Sequence, residues 1–156
     1  GEDPSLVVRM ETAIDGFEGN GGSDLAKRER VLATVKHLGG DGDTEYGTSD
    51  DPEASANGYP IDQGITVTSQ ADLERIDLAP YGPAVREHDA GSVMPSYSSI
   101  DRTDGPDAAA GPIKAHADAG LLTGYLKEGL GFDGFVISDY NGIDQIPGDY
   151  ASDVRT

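Results

Sequence analysis

The sequence has no cysteine. A disulfide framework and a thiolate metal site are therefore both excluded. Basic residues are scarce: 11 Lys and Arg stand against 29 Asp and Glu, a formal net charge of −18. Four of the bases are lysine, whereas Asp supplies 20 of the acids. A surface of that sign repels phosphate backbones and anionic headgroups, which excludes nucleic acid and anionic membrane as partners. No apolar run approaches the roughly 20 residues that a membrane-spanning helix needs. The opening Gly1-Glu2-Asp3-Pro4 carries no signal-peptide pattern.

The 156 residues that are present suffice for one domain with a sizeable core. High net charge with low hydrophobicity favours disorder, but several periodic apolar segments argue against it. Adaptation to high salt is the expected explanation, because screening removes the self-repulsion.

Asp3-Pro4 has the form of an N-cap and first helical residue, and Leu6, Val7, Met10, Ala13, Ile14 and Phe17 follow at helical spacing. Gly19 is a natural stop, so the pattern predicts one amphipathic helix of about four turns. Val31 to Leu38 reads as a buried strand ending in Lys36-His37 and the glycine-rich Gly39-Gly40-Asp41-Gly42. Asp43 to Gly58 is a long acidic loop, and Ile61 to Thr68 looks extended or irregular. Ser69-Gln70-Ala71-Asp72 opens a helix that Pro80 and Pro83 bend or divide. Ser92 to Ser98 reads as a third extended segment, with Pro95 awkwardly inside it. Ile100 to Gly111 is a polar loop, and Ile113 to Leu130 is helical in pattern. Phe135-Val136-Ile137 then suits a strand buried on both faces, followed by Ser138-Asp139-Tyr140 and a turn-rich tail.

Helices and strands thus alternate, which implies right-handed crossovers and a parallel sheet. An open doubly wound sheet and part of a (β/α)8 barrel both fit. A closed barrel needs eight strands and typically about 250 residues, so a barrel reading makes this chain a piece of one.

Taken singly, the motifs favour ordinary roles. Asp139 lies where α/β folds place their chemistry, beyond the C-terminal end of a parallel strand, yet Asp also commonly caps turns there. Lys36-His37 suits a hydroxyl-rich or anionic ligand, but a solvated strand end is the commoner case. Neighbours on a regular strand also point to opposite faces, so both reach one pocket only if the strand ends or bulges between them. Asp41-Gly42-Asp43 imitates a calcium loop, but the sixth position is Tyr46 and the twelfth Pro52, against the EF-hand requirement for Gly and Glu. His88 and His116 are isolated, so no zinc site is indicated, and no phosphate-cradling glycine fingerprint precedes a helix. Tyr97 and Tyr140 suit stacking on a sugar or simple packing.

Their order in the chain says more. Gly1 to Pro4, Ala33-Thr34-Val35-Lys36-His37-Leu38-Gly39-Gly40-Asp41-Gly42, Ser92-Val93-Met94-Pro95-Ser96-Tyr97-Ser98 and Gly131 to Tyr140 together resemble glycoside hydrolase family 3. The likeness is to its β-glucosidase and exo-β-glucan glucohydrolase branch, and Leu121 to Lys127 and Gly142-Ile143-Asp144 strengthen it. The β-N-acetylglucosaminidase branch is disfavoured, since no histidine lies between His37 and His88.

The resemblance implies an α/β fold, a partial (β/α)8 TIM-type barrel of about three βα units, with residues 1–156 incomplete at both ends of the family's N-terminal barrel domain. It implies that Asp139 is the catalytic nucleophile and that Lys36 and His37 bind the hydroxyls of the sugar. Met94 and Tyr97 would line the pocket. Tyr140 stands where the branch usually has Trp, one jaw of an aromatic clamp on the next sugar. The implied reaction is retaining hydrolysis of β-glucosides or β-glucans, with no metal or cofactor, in a secreted or periplasmic setting. A retaining site needs two carboxyl groups about 5–5.5 Å apart; the second, a glutamate, is expected beyond this chain, as are the rest of the barrel and a further domain. Lys36 is expected near Asp139, where opposite charge favours the carboxylate. A rival expectation is a non-catalytic carbohydrate-binding domain derived from the same barrel.

Overall fold

The computed structural model describes residues 3–19, 22–49, 56, 61 and 63–146. Asp3 caps helix α1 (Pro4–Met10), its carboxylate accepting the Ser5 N–H at 2.9 Å. Helix α2 (Thr12–Glu18) ends at Gly19, whose φ of 90° lies in the left-handed region that glycine tolerates. The single helix expected here is therefore two pieces. At Glu11 the hydrogen bonds tighten to three-residue spacing, Glu11 to Val8 and Ile14 to Glu11. Of the apolar stripe, Ile14 is buried, whereas Leu6, Val7, Met10 and Phe17 are exposed.

Strand β1 spans Thr34–Leu38, shorter than the expected Val31 to Leu38. The preceding residues direct their backbone donors to α2: Val31 donates to the Phe17 carbonyl and Ala33 to the buried Glu18 carboxylate, at 3.0 and 2.6 Å. Strand β3 (Ser92–Pro95) pairs parallel with β1, and β6 (Phe135–Val136) pairs parallel with β3, giving the order β1-β3-β6. These three strands come from the three segments that the alternating pattern predicts. Phe135 and Ile137 are nonetheless exposed, not buried on both faces, because β6 is the edge of this sheet among the described residues.

A second sheet was not legible as such. Strand β2 (Ile65–Thr68) runs parallel to β4 (Ser99–Arg102), which pairs antiparallel with β5 (Ile113–Lys114). Residues 99–102 thus form a strand where a polar loop was expected to begin at Ile100. One buried apolar side chain, Ile100, flanked by Ser99 and Asp101, leaves almost no alternation to read. The acidic loop before β2 is described up to Ser49; most of 50–60 lies outside the described residues.

The helix expected from Ser69 begins as predicted. Ser69 Oγ accepts the Asp72 N–H at 3.1 Å, opening α3 (Gln70–Asp72). It widens into a π-type turn over Leu73–Asp77, and α4 (Tyr81–Arg86) follows the Pro80 break. Helix α5 (Gly120–Gly129) is also of π type and starts seven residues after the expected Ile113. The delay has two causes: Ile113 and Lys114 are taken by β5, and Asp118 Oδ1 accepts the Leu121 N–H at 2.9 Å. The other Asp118 oxygen lies 2.7 Å from Arg102 Nη2, a buried pair that ties α5 to β4.

One core joins both sheets. Leu38 and Val93 of the first and Ile100 of the second pack with Leu73, Leu78, Leu121 and Leu126. The Gly39-Gly40 turn lets β1 approach this core. Gly39 has a φ of 100°, and a Cβ on it would lie 2.9 Å from Leu121 Cδ2. The Gly40 carbonyl accepts Thr66 Oγ1 at 2.7 Å, fixing the turn to β2.

Candidate active site

The C-terminal ends of β1, β3 and β6 carry the polar residues that the sequence singles out. On β1 the pairing shifts: Lys36 is opposite Met94, and Leu38 is opposite Pro95. His37 is the extra residue between them, which is a bulge. Bulging lets the two neighbours face one space, as the regular strand would not. Lys36 and His37 both line a groove of about 450 Å³, together with Asp41, Asp43, Asp77 and Tyr81. The Lys36–His37 peptide is cis.

Pro95, awkward inside a strand, lies at the end of one. It is the last, buried residue of β3, and its missing donor falls at the register shift. The next residue supplies the bond, Ser96 N–H donating to the Leu38 carbonyl at 2.8 Å. Met94, as the register partner of Lys36, shares its face of the sheet.

Three residues beyond β6, Asp139 is turned inward, its side chain 17% exposed. Nearly every polar atom of it has a partner. Oδ1 accepts the Tyr140 N–H at 2.7 Å. Oδ2 lies 3.5 Å from His37 Nε2. Its carbonyl accepts Ser138 Oγ at 2.6 Å and the Gly142 N–H at 2.9 Å. Its N–H donates to His116 Nε2 at 3.1 Å. His37 is held in turn by Asp41, whose Oδ2 lies 2.9 Å from Nδ1. An ionised carboxylate only accepts, so Nδ1 is the protonated nitrogen of that contact.

The structure thus brings together His37 and Asp139, and Lys36 and His37. Lys36 itself forms no ion pair with Asp139: it is exposed, and its place is in the groove. Asp139, Met94, Tyr97 and Tyr140 are not in the lining of that groove. Tyr97 stands beside His116, ring centroids 6.3 Å apart, and so meets Asp139 through that ring. Tyr140 contributes its backbone N–H, while the residue as a whole is 83% exposed.

Sequence reasoning passed over Asp41 as a binding partner, although its place four residues after His37 in a tight glycine turn was a usable signal. It also left His116 isolated; nothing in the spacing links that residue to Asp139. Chemically, the site offers one carboxylate of fixed orientation beside an imidazole, with an ammonium and an acidic groove next to it.

The sequence pattern of the glycosyl hydrolase family 3 N-terminal domain matches residues 1–154. The chain belongs to glycoside hydrolase family 3. A beta-xylosidase of Formosa agariphila is 32% identical over 147 residues, covering 94% of this chain and 17% of that protein. The crystal structure of an exo-1,3/1,4-beta-glucanase from a Pseudoalteromonas species superposes with a TM-score of 0.72 at 34% identity, over 93% of this chain and 15% of the other. A beta-glucosidase from Listeria innocua in complex with isofagomine gives a TM-score of 0.67 at 25% identity, over 93% and 17%. This family 3 chain therefore spans less than a fifth of those relatives. Its α/β fold, with the parallel β1-β3-β6 sheet, fits part of the barrel of the family's N-terminal domain.

Proposed function

We propose that residues 1–156 are the central part of the N-terminal barrel of a retaining β-glucosidase, with Asp139 as the nucleophile. The observation that carries this reading is the inward Asp139 carboxylate, 3.5 Å from His37 beside the end of a parallel sheet. An oxygen that attacks an anomeric carbon must be presented in a fixed direction. Tyr140 N–H binding at Oδ1 leaves Oδ2 as the attacking atom. The substrate's hydroxyls are bound by His37 and Lys36, both of which line the groove.

In the first step Oδ2 bonds to the anomeric carbon while the glycosidic oxygen leaves with a proton from a general acid. Water then displaces the carboxylate and releases the sugar with retention. The acid is a glutamate outside this chain, and the remaining barrel strands supply further sugar contacts. The similar exo-glucanase and β-glucosidase structures support glucose as the terminal sugar. Tyr140, with less stacking area than tryptophan, holds the next sugar weakly.

The test is turnover of an aryl β-glucoside by the whole protein and by its Asp139→Ala variant, with an aryl β-xyloside in parallel. The reading requires loss of turnover in the variant and its partial recovery by azide, a small anion that fills the gap. Undiminished turnover by Asp139→Ala, or a clear preference for the xyloside, contradicts it. The isolated 156-residue chain, lacking the acid, is expected to be inactive.

A further inference from the structure

His116 and Asp139 are 23 residues apart in the chain, yet the Asp139 N–H donates to His116 Nε2. A ring nitrogen that accepts carries no proton, so the proton sits on Nδ1 and the ring is neutral. Burial pushes the His116 pKa below its ordinary value, and the Lys114 charge acts in the same direction. A hydrogen bond with the Ser96 backbone and the Asp139 charge oppose this without reversing it.

The ring is held on its other sides. Tyr97 stands against it at a tilt of 35°. Gly142 covers it so closely that a Cβ there would overlap Nε2 and lie 2.7 Å from Cε1. The φ of Gly142 is outside the left-handed region, so what this glycine supplies is room. Gly142 also donates its N–H to the Asp139 carbonyl. The backbone of one residue is therefore gripped at both its N–H and its C=O, by a ring and by the glycine packed on that ring.

We propose that His116 is a positioning residue: it accepts the Asp139 N–H and so fixes the backbone from which the attacking carboxylate is aimed. This rests on the reading of Asp139 as nucleophile. His116 does not touch the sugar; it acts through Asp139. Without the acceptor, the N–H of a half-buried residue is left unpaired, and the Asp139 peptide turns to find another partner. Such a displacement falls on bond formation at the anomeric carbon. It leaves untouched the hydroxyl contacts made by Lys36 and His37.

The experiment measures kcat and KM on an aryl β-glucoside for the whole protein and four variants. His116→Leu keeps bulk and removes the acceptor. His116→Gln keeps an acceptor oxygen at similar reach. Gly142→Ala pushes the ring aside, and Asp139→Ala tests the underlying reading. A misplacement of about 1 Å lowers rate by roughly 100-fold, which is the loss in kcat expected of His116→Leu and Gly142→Ala. KM is expected to stay within about twofold, as for an interaction felt only in the transition state. His116→Gln is expected to regain most of kcat. Wild-type kcat in both His116→Leu and Gly142→Ala overturns the proposal, as does a His116→Gln variant no better than His116→Leu. If His116→Leu lacks a cooperative thermal transition, the other two decide: wild-type kcat in Gly142→Ala, or a severe loss in His116→Gln, is then sufficient to reject it. Turnover by Asp139→Ala instead rejects the nucleophile reading, and this inference with it.

Discussion

His37 is placed between two carboxylates, with Nδ1 2.9 Å from Asp41 Oδ2 and Nε2 3.5 Å from Asp139 Oδ2. The ring thus bridges the glycine-rich turn after β1 and the loop after β6. Asp41 decides which nitrogen carries the proton and which edge of the ring faces the site. Its side chain is half exposed, so the bond is modest. Asp41→Ala is expected to lower kcat/KM on an aryl β-glucoside about fivefold, the equivalent of about 1 kcal/mol. Asp41→Asn should recover part of that loss, and steady-state kinetics on both variants checks it. Wild-type kcat/KM in Asp41→Ala would show that the ring does not depend on this contact.

Gly39→Ala is expected to destabilise the domain. The new methyl would press on Leu121 Cδ2 at 2.9 Å, Ile100 Cδ1 at 3.2 Å and Ala115 Cβ at 3.3 Å, in a core that joins both sheets. The φ of 100° adds backbone strain. Together these should cost about 2–4 kcal/mol. A clear fall in the thermal midpoint checks this, and Gly42→Ala, where a Cβ meets nothing within 4 Å, is the comparison.

How much of this was legible beforehand divides along physical lines. The three parallel strands were, because Val35, Val93 and Val136 lie in short apolar runs ended by polar residues. So were the Asp3 and Ser69 caps, which are chemistry of neighbouring residues. The second sheet was not: β4 has one apolar side chain to bury, and its pairing with β2 spans more than 30 residues. The bulge at His37 could be required by geometry but not located. His116 was invisible, because its partner is a backbone N–H of a distant residue, and a main-chain donor leaves no mark in a sequence.

Asp77 lines the same groove, and burial, reinforced by the Asp43 charge, raises its pKa to about 6. An unfolded Asp loses its proton near pH 4. Between about pH 4 and about 6 the folded state therefore holds a proton that the unfolded state has lost, and stability falls as pH rises through that window. The penalty is fully present above the folded value. Asp77→Asn is expected to remove this slope and to raise stability at pH 7 by about 1 kcal/mol, reduced by the group's partial exposure to water. Thermal midpoints of both proteins at pH 4.5 and 7 check it; parallel pH dependences would contradict it.

The net charge of −18 predicts a salt response. Carboxylates repel one another across the surface, and molar salt shortens the screening length to about 3 Å. The thermal midpoint is expected to rise between dilute buffer and molar potassium chloride. A midpoint that falls with salt would mean that attractive exposed ion pairs, such as Arg75 with Asp72, outweigh the repulsion.

The account stands most directly on where a sugar becomes covalently attached. A 2-deoxy-2-fluoro-β-glucoside with a good leaving group forms its glycosyl-enzyme and releases it slowly, so the labelled residue can be found by digestion and mass spectrometry of the whole protein. The expected result is one labelled peptide, with the modification on Asp139 and none in the Asp139→Ala variant. A label on any other residue, or turnover of the parent glucoside with no trapped adduct, would contradict the account.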